Sequence, residues 1–359
     1  MPIHLKRALL RVSKWAGLFY MVRIVLKDGL RILCYHGIAL EDENAFRASL
    51  FVSPQTLRKR LSILARYQVP VLDLETALTL QNEGKLPRGA TVITFDDGFY
   101  GVYRHGLPLL EEFSFPATVY IATQYTLEHA PVFRLAVQYM FWKTSKRSLD
   151  PEGLGLSRIG VASLLNETEK EQISSDIEDF GEFHCNKEQR AALAQELAKR
   201  LDVDYSKICA SRVLTLMNPE EIRAMAAAGV NIQLHTHHHR FPEDESAARE
   251  LAENRAVLEP VVGKALSHFC YPSGIWSKKH WPWLESAGIS SATTCEPGLN
   301  FRDTPRLALK RFLDRDDLSD IEFEAEISGF AELLRWIRRA SGNLSRSHSR
   351  PADPLKAAC

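Results

Sequence analysis

The sequence predicts an α/β fold with parallel strands. Short apolar and β-branched segments alternate with amphipathic helical segments along most of the chain, which is typical of strands joined by crossover helices. Two predicted strands run straight into clusters of acidic or histidine residues, and α/β proteins build their sites at the carboxyl ends of parallel strands. With 359 residues, 45% of them hydrophobic, the chain can bury a large core, and its formal net charge of zero gives no support for a nucleic-acid partner.

Residues 1–30 predict a basic amphipathic helix. Six lysines and arginines face a single acid, Asp28, and the apolar residues recur at helical spacing. The longest apolar run, Trp15 to Val22, is too short to span a bilayer. Two interpretations remain open: the helix lies on an anionic membrane surface, or it packs against the flank of the folded domain.

The cysteine pattern and the N-terminal segment indicate where in the cell the protein is located. Six cysteines are scattered along the chain without a Cys-X-X-Cys pair, so reduced thiols are the simpler interpretation. No small-residue cleavage site clearly follows the apolar run. We therefore expect a cytoplasmic protein, peripheral at the inner face of the membrane if the basic helix binds lipid.

The first half of the chain alternates between strands and helices. Ser53 and Pro54 are typical of a helix start. Gly98 lies shortly after the strand predicted at 91–95, before the next predicted helix. The predicted elements are a strand at 31–38, a helix from Pro54 to Tyr67, a strand at 69–72, a helix at 75–83, a strand at 91–95, a helix at 99–113 and a strand at 115–122.

The alternation stops at about residue 124 and resumes after 216. The intervening segment is mostly helical in pattern and predicts an insertion on the same side as the strand ends. Asn218 then begins a helix that precedes the histidine-containing strand, and further strands are predicted at 268–271 and 289–294. Residues 31–340 thus form the main domain, and 341–359 predict a disordered tail.

Two clusters carry the chemistry. The strand from Thr91 ends in Asp96, Asp97 and Gly98, and a later strand ends in His235 to His239. An Asp-Asp-Gly sequence alone is most often a solvated turn, and a histidine cluster alone can be adventitious. Together, however, two imidazoles at i and i+4 and one carboxylate form a three-ligand metal site with open positions.

These motifs resemble the NodB-homology polysaccharide deacetylases. Thr-Phe-Asp-Asp-Gly and His-Thr-X-X-His are similar to the first two family motifs, and Phe269 to Gly274 is similar to the third. The segment from Leu33 to Ile38 resembles the Tyr-His-X-Ile strand of one branch. The resemblance implies a distorted (β/α)7 barrel with a helical insertion. It also implies that Asp97, His235 and His239 bind Zn²⁺ or another divalent transition metal.

The resemblance also implies residue roles. Asp96 is expected to be the general base and His36 the general acid, while the backbone N–H of Ser273 joins the metal in holding the oxyanion. Tyr271, Pro272, Gly274 and Arg311 are assigned to the substrate side of the site. Many relatives carry a base-orienting arginine where this chain has Cys270, and Arg311 is a candidate substitute.

The sequence therefore favours a metal-dependent N-deacetylase. Its partner would be an N-acetylated amino sugar in a polysaccharide, lipopolysaccharide or glycolipid intermediate of a bacterial envelope pathway. Two alternatives stay open: a deformylase or other C–N amide hydrolase, and a non-catalytic metal-containing barrel that binds glycans. A non-catalytic barrel would be expected to lack the base or a metal ligand. This chain has all four of these residues, Asp96, Asp97, His235 and His239.

Overall fold

A computed structural model describes residues 2–156 and 160–340. The predicted disordered tail, 341–359, lies outside the described residues. Seven strands form one parallel sheet. They are β1 (Arg31–Tyr35), β2 (Thr91–Phe95), β3 (Thr118–Ile121), β4 (Asn231–Leu234), β5 (His268–Cys270), β6 (Ser291–Thr293) and β7 (Phe312–Leu313).

The helices surround this sheet. They are α1 (Ile3–Trp15), α2 (Leu18–Val25), α3 (Glu43–Phe46), α4 (Pro54–Arg66), α5 (Leu74–Asn82), α6 (Leu107–Phe113), α7 (Gln124–Glu128), α8 (Phe133–Lys143), α9 (Glu167–His184), α10 (Lys187–Leu201), α11 (Tyr205–Ser211), α12 (Pro219–Ala227), α13 (Ser246–Val262), α14 (Trp281–Ser286), α15 (Asp320–Ile327) and α16 (Phe330–Ala340).

The sheet follows chain order and curls back on itself. Its strand order is β6-β5-β4-β3-β2-β1-β7, with parallel pairing throughout. A parallel bridge between Thr293 and Leu309 also joins β6 to the segment that enters β7. The two edges of the sheet therefore meet, which confirms the predicted distorted (β/α)7 barrel.

The register brings several strand ends to one level. Tyr35 pairs with Phe95, and Leu234 pairs with both Ile121 and Phe269. Every residue of β1, β2 and β3 is buried, as expected for parallel strands covered by helices on their outer face. The residues that follow β1, β2 and β4 consequently lie at the same carboxyl edge.

Several predicted elements differ in the structure. The strand predicted at 31–38 divides into β1 and a two-residue strand, Gly37–Ile38, that pairs in parallel with Phe51–Val52. Residues 69–72 make only one bridge, between Val71 and Thr91, because Pro70 has no N–H to donate and the cap of α5 begins at Asp73. The predicted helix at 99–113 begins with a π-helical turn, Val102–Gly106, before α6. Gly101 packs against the carbonyl of Ile38 so closely that a Cβ would lie 1.8 Å from the oxygen.

Between β3 and β4 the chain forms α7 to α11. Nearly all of α8 is buried, and it packs against α9 and α10. A two-stranded antiparallel pair, Ser148–Leu149 with Ala162–Ser163, lies among these helices and was not predicted. Two residues per strand are too few to give an alternating pattern in the sequence.

The N-terminal segment forms two helices, where the sequence predicted one. Gly17, with φ of 79°, separates α1 from α2. α1 packs against α15, and α2 packs against α16. Across residues 2–156 and 160–340, no helix combines the length and apolar character needed to cross a bilayer.

Candidate active site

A tight turn after β2 holds Asp96 and Asp97 at the carboxyl edge. Asp97 and Gly98 both have left-handed backbone, with φ of 66° and 88°. A Cβ on Gly98 would also press against Ile121 at 3.2 Å, so glycine suits this position on two grounds. Both carboxylates are buried as a result, at 2% and 3% exposure.

Asp97 converges with two histidines. Its Oδ1 lies 3.2 Å from His235 Nε2 and 3.2 Å from His239 Nε2. Among the described residues neither oxygen of Asp97 nor His239 Nε2 has a hydrogen-bond partner. A buried carboxylate without donors is costly, so the arrangement fits a cation between these three ligands.

Neighbouring groups fix the orientation of His235. Its Nδ1 lies 2.8 Å from the carbonyl oxygen of Cys270. Because a carbonyl can only accept, Nδ1 carries the proton and Nε2 is left free to ligate. The backbone N–H of His235 donates to Asn254, whose amide in turn donates to the Ile121 carbonyl. Asn254 is fully buried within α13 and was not predicted, because the sequence does not show which face of this helix turns toward β4.

Arg311 binds Asp96 through two hydrogen bonds. Nη1 and Nη2 donate to the two carboxylate oxygens at 2.7 Å each, and the guanidinium is completely buried. Burial alone would raise the pKa of Asp96, but the charge and hydrogen bonds of Arg311 lower it to about 2. Asp96 is therefore ionised at neutral pH.

The arginine comes from the segment before β7. Cys270 Sγ lies 3.1 Å from Arg311 Nη2 and 3.4 Å from Asp96 Oδ2. The small side chain of Cys270 thus leaves the space that the guanidinium fills. Arg311 contacts Asp96 and has no exposed surface, so its assignment to substrate binding is wrong, and its position agrees with the prediction that it substitutes for an arginine orienting Asp96.

His36 follows β1 and faces Asp96. Its Nε2 lies 3.8 Å from Asp96 Oδ2, and its side chain is 13% exposed. Burial lowers the pKa of His36, and the nearby Asp97 and Asp96 only partly oppose this effect. His36 is therefore neutral at neutral pH and sits at the same end of the barrel as the three candidate ligands.

The loop after β5 forms another wall. Ser273 has left-handed backbone with φ of 55°, and it lines a cavity together with Pro272, Asp97 and His239. A Cβ on Gly274 would lie 2.5 Å from the Cβ of Cys295, so a glycine is needed here for close packing. The contact with Cys295 does not support the assignment of Gly274 to substrate binding.

Tyr271 does not reach the substrate side. Its ring is fully buried, and its hydroxyl donates to the Leu307 carbonyl at 2.9 Å. Its assignment to substrate binding is therefore corrected to a packing role beneath the loop.

The cavity beside the three ligands has a volume of about 360 Å³. Helix α9 contributes Glu182 and Phe183 to its lining, and Arg240 lies between them, 3.6 Å from the Glu182 carboxylate and over the Phe183 ring. Glu182 and Phe183 were not predicted, because nothing in the helical pattern of 124–216 shows which face turns toward the barrel. Arg240, which directly follows His239, was not predicted either.

The histidines between the ligands have other partners. His237 Nδ1 lies 2.8 Å from the Thr123 hydroxyl, and His238 Nδ1 lies 2.9 Å from Glu250. Glu250 also accepts from the backbone N–H groups of both histidines. These contacts hold the loop that carries His239.

The sequence matches the family model described as polysaccharide deacetylase over residues 83–180 and 196–292, more than half of the chain. The protein therefore belongs to the polysaccharide deacetylase family. No curated protein matches the chain.

Solved structures share the fold at low sequence identity. The Streptococcus pyogenes deacetylase PplD, solved with acetate, is 15% identical with a TM-score of 0.52, over 82% of this chain and 96% of that one. The polysaccharide deacetylase BC0361 of Bacillus cereus is 17% identical with a TM-score of 0.52, over 84% and 69%. IcaB of Ammonifex degensii is 18% identical with a TM-score of 0.50, over 85% and 97%.

Proposed function

We propose that this protein is a metal-dependent N-deacetylase that hydrolyses the acetamido group of an N-acetylated amino sugar. The observation that carries the proposal is the unsatisfied, buried Asp97 carboxylate between His235 and His239, with the ionised Asp96 beside it. Family membership supports a carbohydrate substrate.

Asp97, His235 and His239 would hold the cation. A two-histidine, one-carboxylate set suits Zn²⁺, although other divalent transition metals bind such sites. The bound cation supplies Lewis acidity and makes water a better nucleophile at neutral pH.

Asp96 is placed to receive the proton of the attacking water. Arg311 occupies one lone-pair direction of each carboxylate oxygen, and a carboxylate has further directions available. The two hydrogen bonds from Arg311 fix the orientation of the carboxylate, and a fixed orientation lowers the entropy cost of a proton transfer.

His36 is placed to pass a proton to the departing amine. Its lowered pKa means that it starts the cycle neutral, so it must take up a proton during the reaction before it can donate one. His36 Nε2 lies 3.8 Å from Asp96 Oδ2, beyond hydrogen-bond distance, so we propose that the proton passes between the two residues through a bridging water. The N–H of Ser273 is the proposed donor to the oxyanion.

The cavity supports a sugar of limited size beside the ligands. Phe183 offers an apolar ring for a sugar face, and Glu182 and Arg240 offer charged hydrogen-bonding groups for hydroxyls. A polysaccharide, lipopolysaccharide or glycolipid intermediate of a bacterial envelope pathway would present an N-acetylated sugar of this size.

We further propose a cytoplasmic location. All five cysteines in the described part of the chain are unpaired. Cell fractionation tests this directly, and recovery of the protein outside the cytoplasm would contradict it.

Acetate release from N-acetylated saccharides is the test of the function. Protein stripped of metal should be inactive and should regain activity with Zn²⁺. Asp96→Asn should lose at least about a hundredfold in kcat while keeping its metal, since it removes the base but no ligand. Asp97→Asn is the matched variant and should lose the metal itself. Equal turnover by wild type and Asp96→Asn would exclude the proposed base.

A further inference from the structure

Helix α1 turns its apolar side away from the protein. Leu5, Leu9, Val12 and Trp15 recur at spacings of three and four, so they lie on one face of the helix. Their exposed fractions are 51%, 50%, 63% and 90%. In a helix packed on a soluble core this face would be buried.

The charged side of α1 faces the protein. Lys6 and Arg7 bind Glu322 of α15 at 2.7 Å and 3.0 Å, and Lys14 binds Glu324. Only Leu10 is buried among the residues of α1. Ion pairs therefore hold the helix, and its apolar surface stays available to another partner.

Helix α2, which follows the turn at Gly17, also exposes apolar side chains. Phe19 and Val22 are buried against α16, while Met21 and Val25 are 59% and 74% exposed on the opposite side. We call Leu5, Leu9, Val12, Trp15, Met21 and Val25 the outer apolar face. An apolar surface of this extent is uncommon on a monomeric protein without a partner.

Positive charges accompany the outer apolar face. Arg11 and Lys27 are exposed on the same two helices, and Arg338 and Arg339 are exposed at the end of α16. Asp28 is the single acid within residues 1–30. The surface thus combines apolar side chains with a basic border.

We propose that the outer apolar face binds the surface of an anionic lipid bilayer. Apolar side chains would enter the boundary between headgroups and acyl chains, with Trp15 at the interface, while the basic residues face anionic headgroups. A second copy of this chain is a poorer partner, because two outer apolar faces in contact would bring their basic borders together.

The segment 341–359 is also a poorer partner. It carries three basic residues against one acid, and its apolar residues are few and scattered. It would add positive charge to this side of the molecule without covering six large apolar side chains.

Docking through this face leaves the candidate active site open. α1 runs along the barrel flank, from Arg7 near the Asp317 carbonyl to Lys14 near the ring of Tyr67. The cavity beside Asp97 lies at the carboxyl edge of the strands. The membrane would therefore lie beside the barrel, with the mouth of the cavity uncovered.

Vesicle co-sedimentation of the full-length protein tests the proposal. Vesicles of phosphatidylcholine with phosphatidylglycerol should bind at least about tenfold more tightly than phosphatidylcholine alone, and added salt should reduce the difference. Val12→Glu with Met21→Glu should abolish binding, and Arg11→Glu with Lys27→Glu should remove the preference for phosphatidylglycerol.

Leu165→Glu is the matched control, because Leu165 is 70% exposed but lies among the helices between β3 and β4. It should bind like the wild type, and thermal unfolding should show that every variant is folded. Equal binding to both vesicle types would overturn the proposal. Sedimentation equilibrium without lipid gives a second test. The proposal would also be overturned if the wild type were a dimer and Val12→Glu with Met21→Glu converted it to a monomer.

Discussion

The pair formed by Asp96 and Arg311 has consequences for stability as well as for chemistry. Both side chains are buried, and the guanidinium also donates to the Thr294 carbonyl at 2.9 Å. Removing one member of a buried ion pair leaves the other charge without compensation, which costs about 3–5 kcal/mol.

Arg311→Met and Arg311→Lys should separate the effect of Arg311 on stability from its effect on activity. The methionine variant should lose about 3–5 kcal/mol of unfolding free energy in urea and most of its activity. The lysine variant keeps the charge but loses the two-point contact, so kcat should fall at least about tenfold with a smaller loss of stability. Metal content should stay unchanged in both. Full activity in Arg311→Lys would show that geometry at Asp96 is unimportant.

His36 can be tested without disturbing the ligands. Under the proposed mechanism, in which His36 passes a proton to the leaving amine, His36→Asn should reduce kcat by about 10²–10⁴-fold. The measurement is steady-state acetate release with metal content determined on the same sample. His4→Asn is the comparison, because His4 is exposed on α1 and does not line the cavity, and it should retain nearly all activity. A normal kcat in His36→Asn would leave His36 with a packing role only.

At the scale of elements, the contact between α1 and α15 depends on ionised acids. Burial tends to raise the pKa of Glu322, but hydrogen bonds from Lys6, Ser319 and Arg7 outweigh it and lower the pKa to about 2. A carboxyl group with a folded pKa below its ordinary value of 4.5 stabilises the protein above that pH. The contribution is lost as the pH falls toward 2.

The Tm should therefore fall on acidification from pH 6 to pH 3 partly because Glu322 loses its bonds to α1. Glu322→Gln should lower the Tm at pH 6 and make it less dependent on pH over this range. Differential scanning calorimetry of the two proteins gives the comparison. Parallel Tm curves for wild type and variant would mean that Glu322 adds no acid sensitivity.

At the scale of the whole molecule, metal binding should stabilise the barrel, because the ligands come from the ends of β2 and β4. A ligand that binds only the folded state at about 100 times its Kd adds about 2.7 kcal/mol. Zn²⁺ should thus raise the Tm of metal-stripped protein by several degrees. Asp97→Asn should abolish this rise and Asp96→Asn should keep it. A rise of equal size in Asp97→Asn would place the metal elsewhere.

Local pattern predicted a parallel α/β fold and the grouping of the site residues, whereas the barrel was predicted from the resemblance to the deacetylase family. Asp96, Asp97 and His235 each follow a predicted strand, and parallel strands place such residues at one edge. Asn254 and Phe183 were missed because their roles depend on how distant helices pack. The role of Tyr271 was misplaced for a related reason, since its adjacency in sequence to Pro272 says nothing about which side of the barrel wall it occupies. Arg311 was predicted both on the substrate side and as a substitute for a base-orienting arginine, and its contact with Asp96 agrees with the second prediction.

Arg311 reaches Asp96 from a different position in the sequence than the family motif would predict. In the resemblance noted above, the arginine occupies the position of Cys270 on β5, whereas here it enters from the segment before β7. A search for linear motifs that requires an arginine at the position of Cys270 would count this chain as lacking that group, although Arg311 supplies a guanidinium to Asp96 from a different strand end.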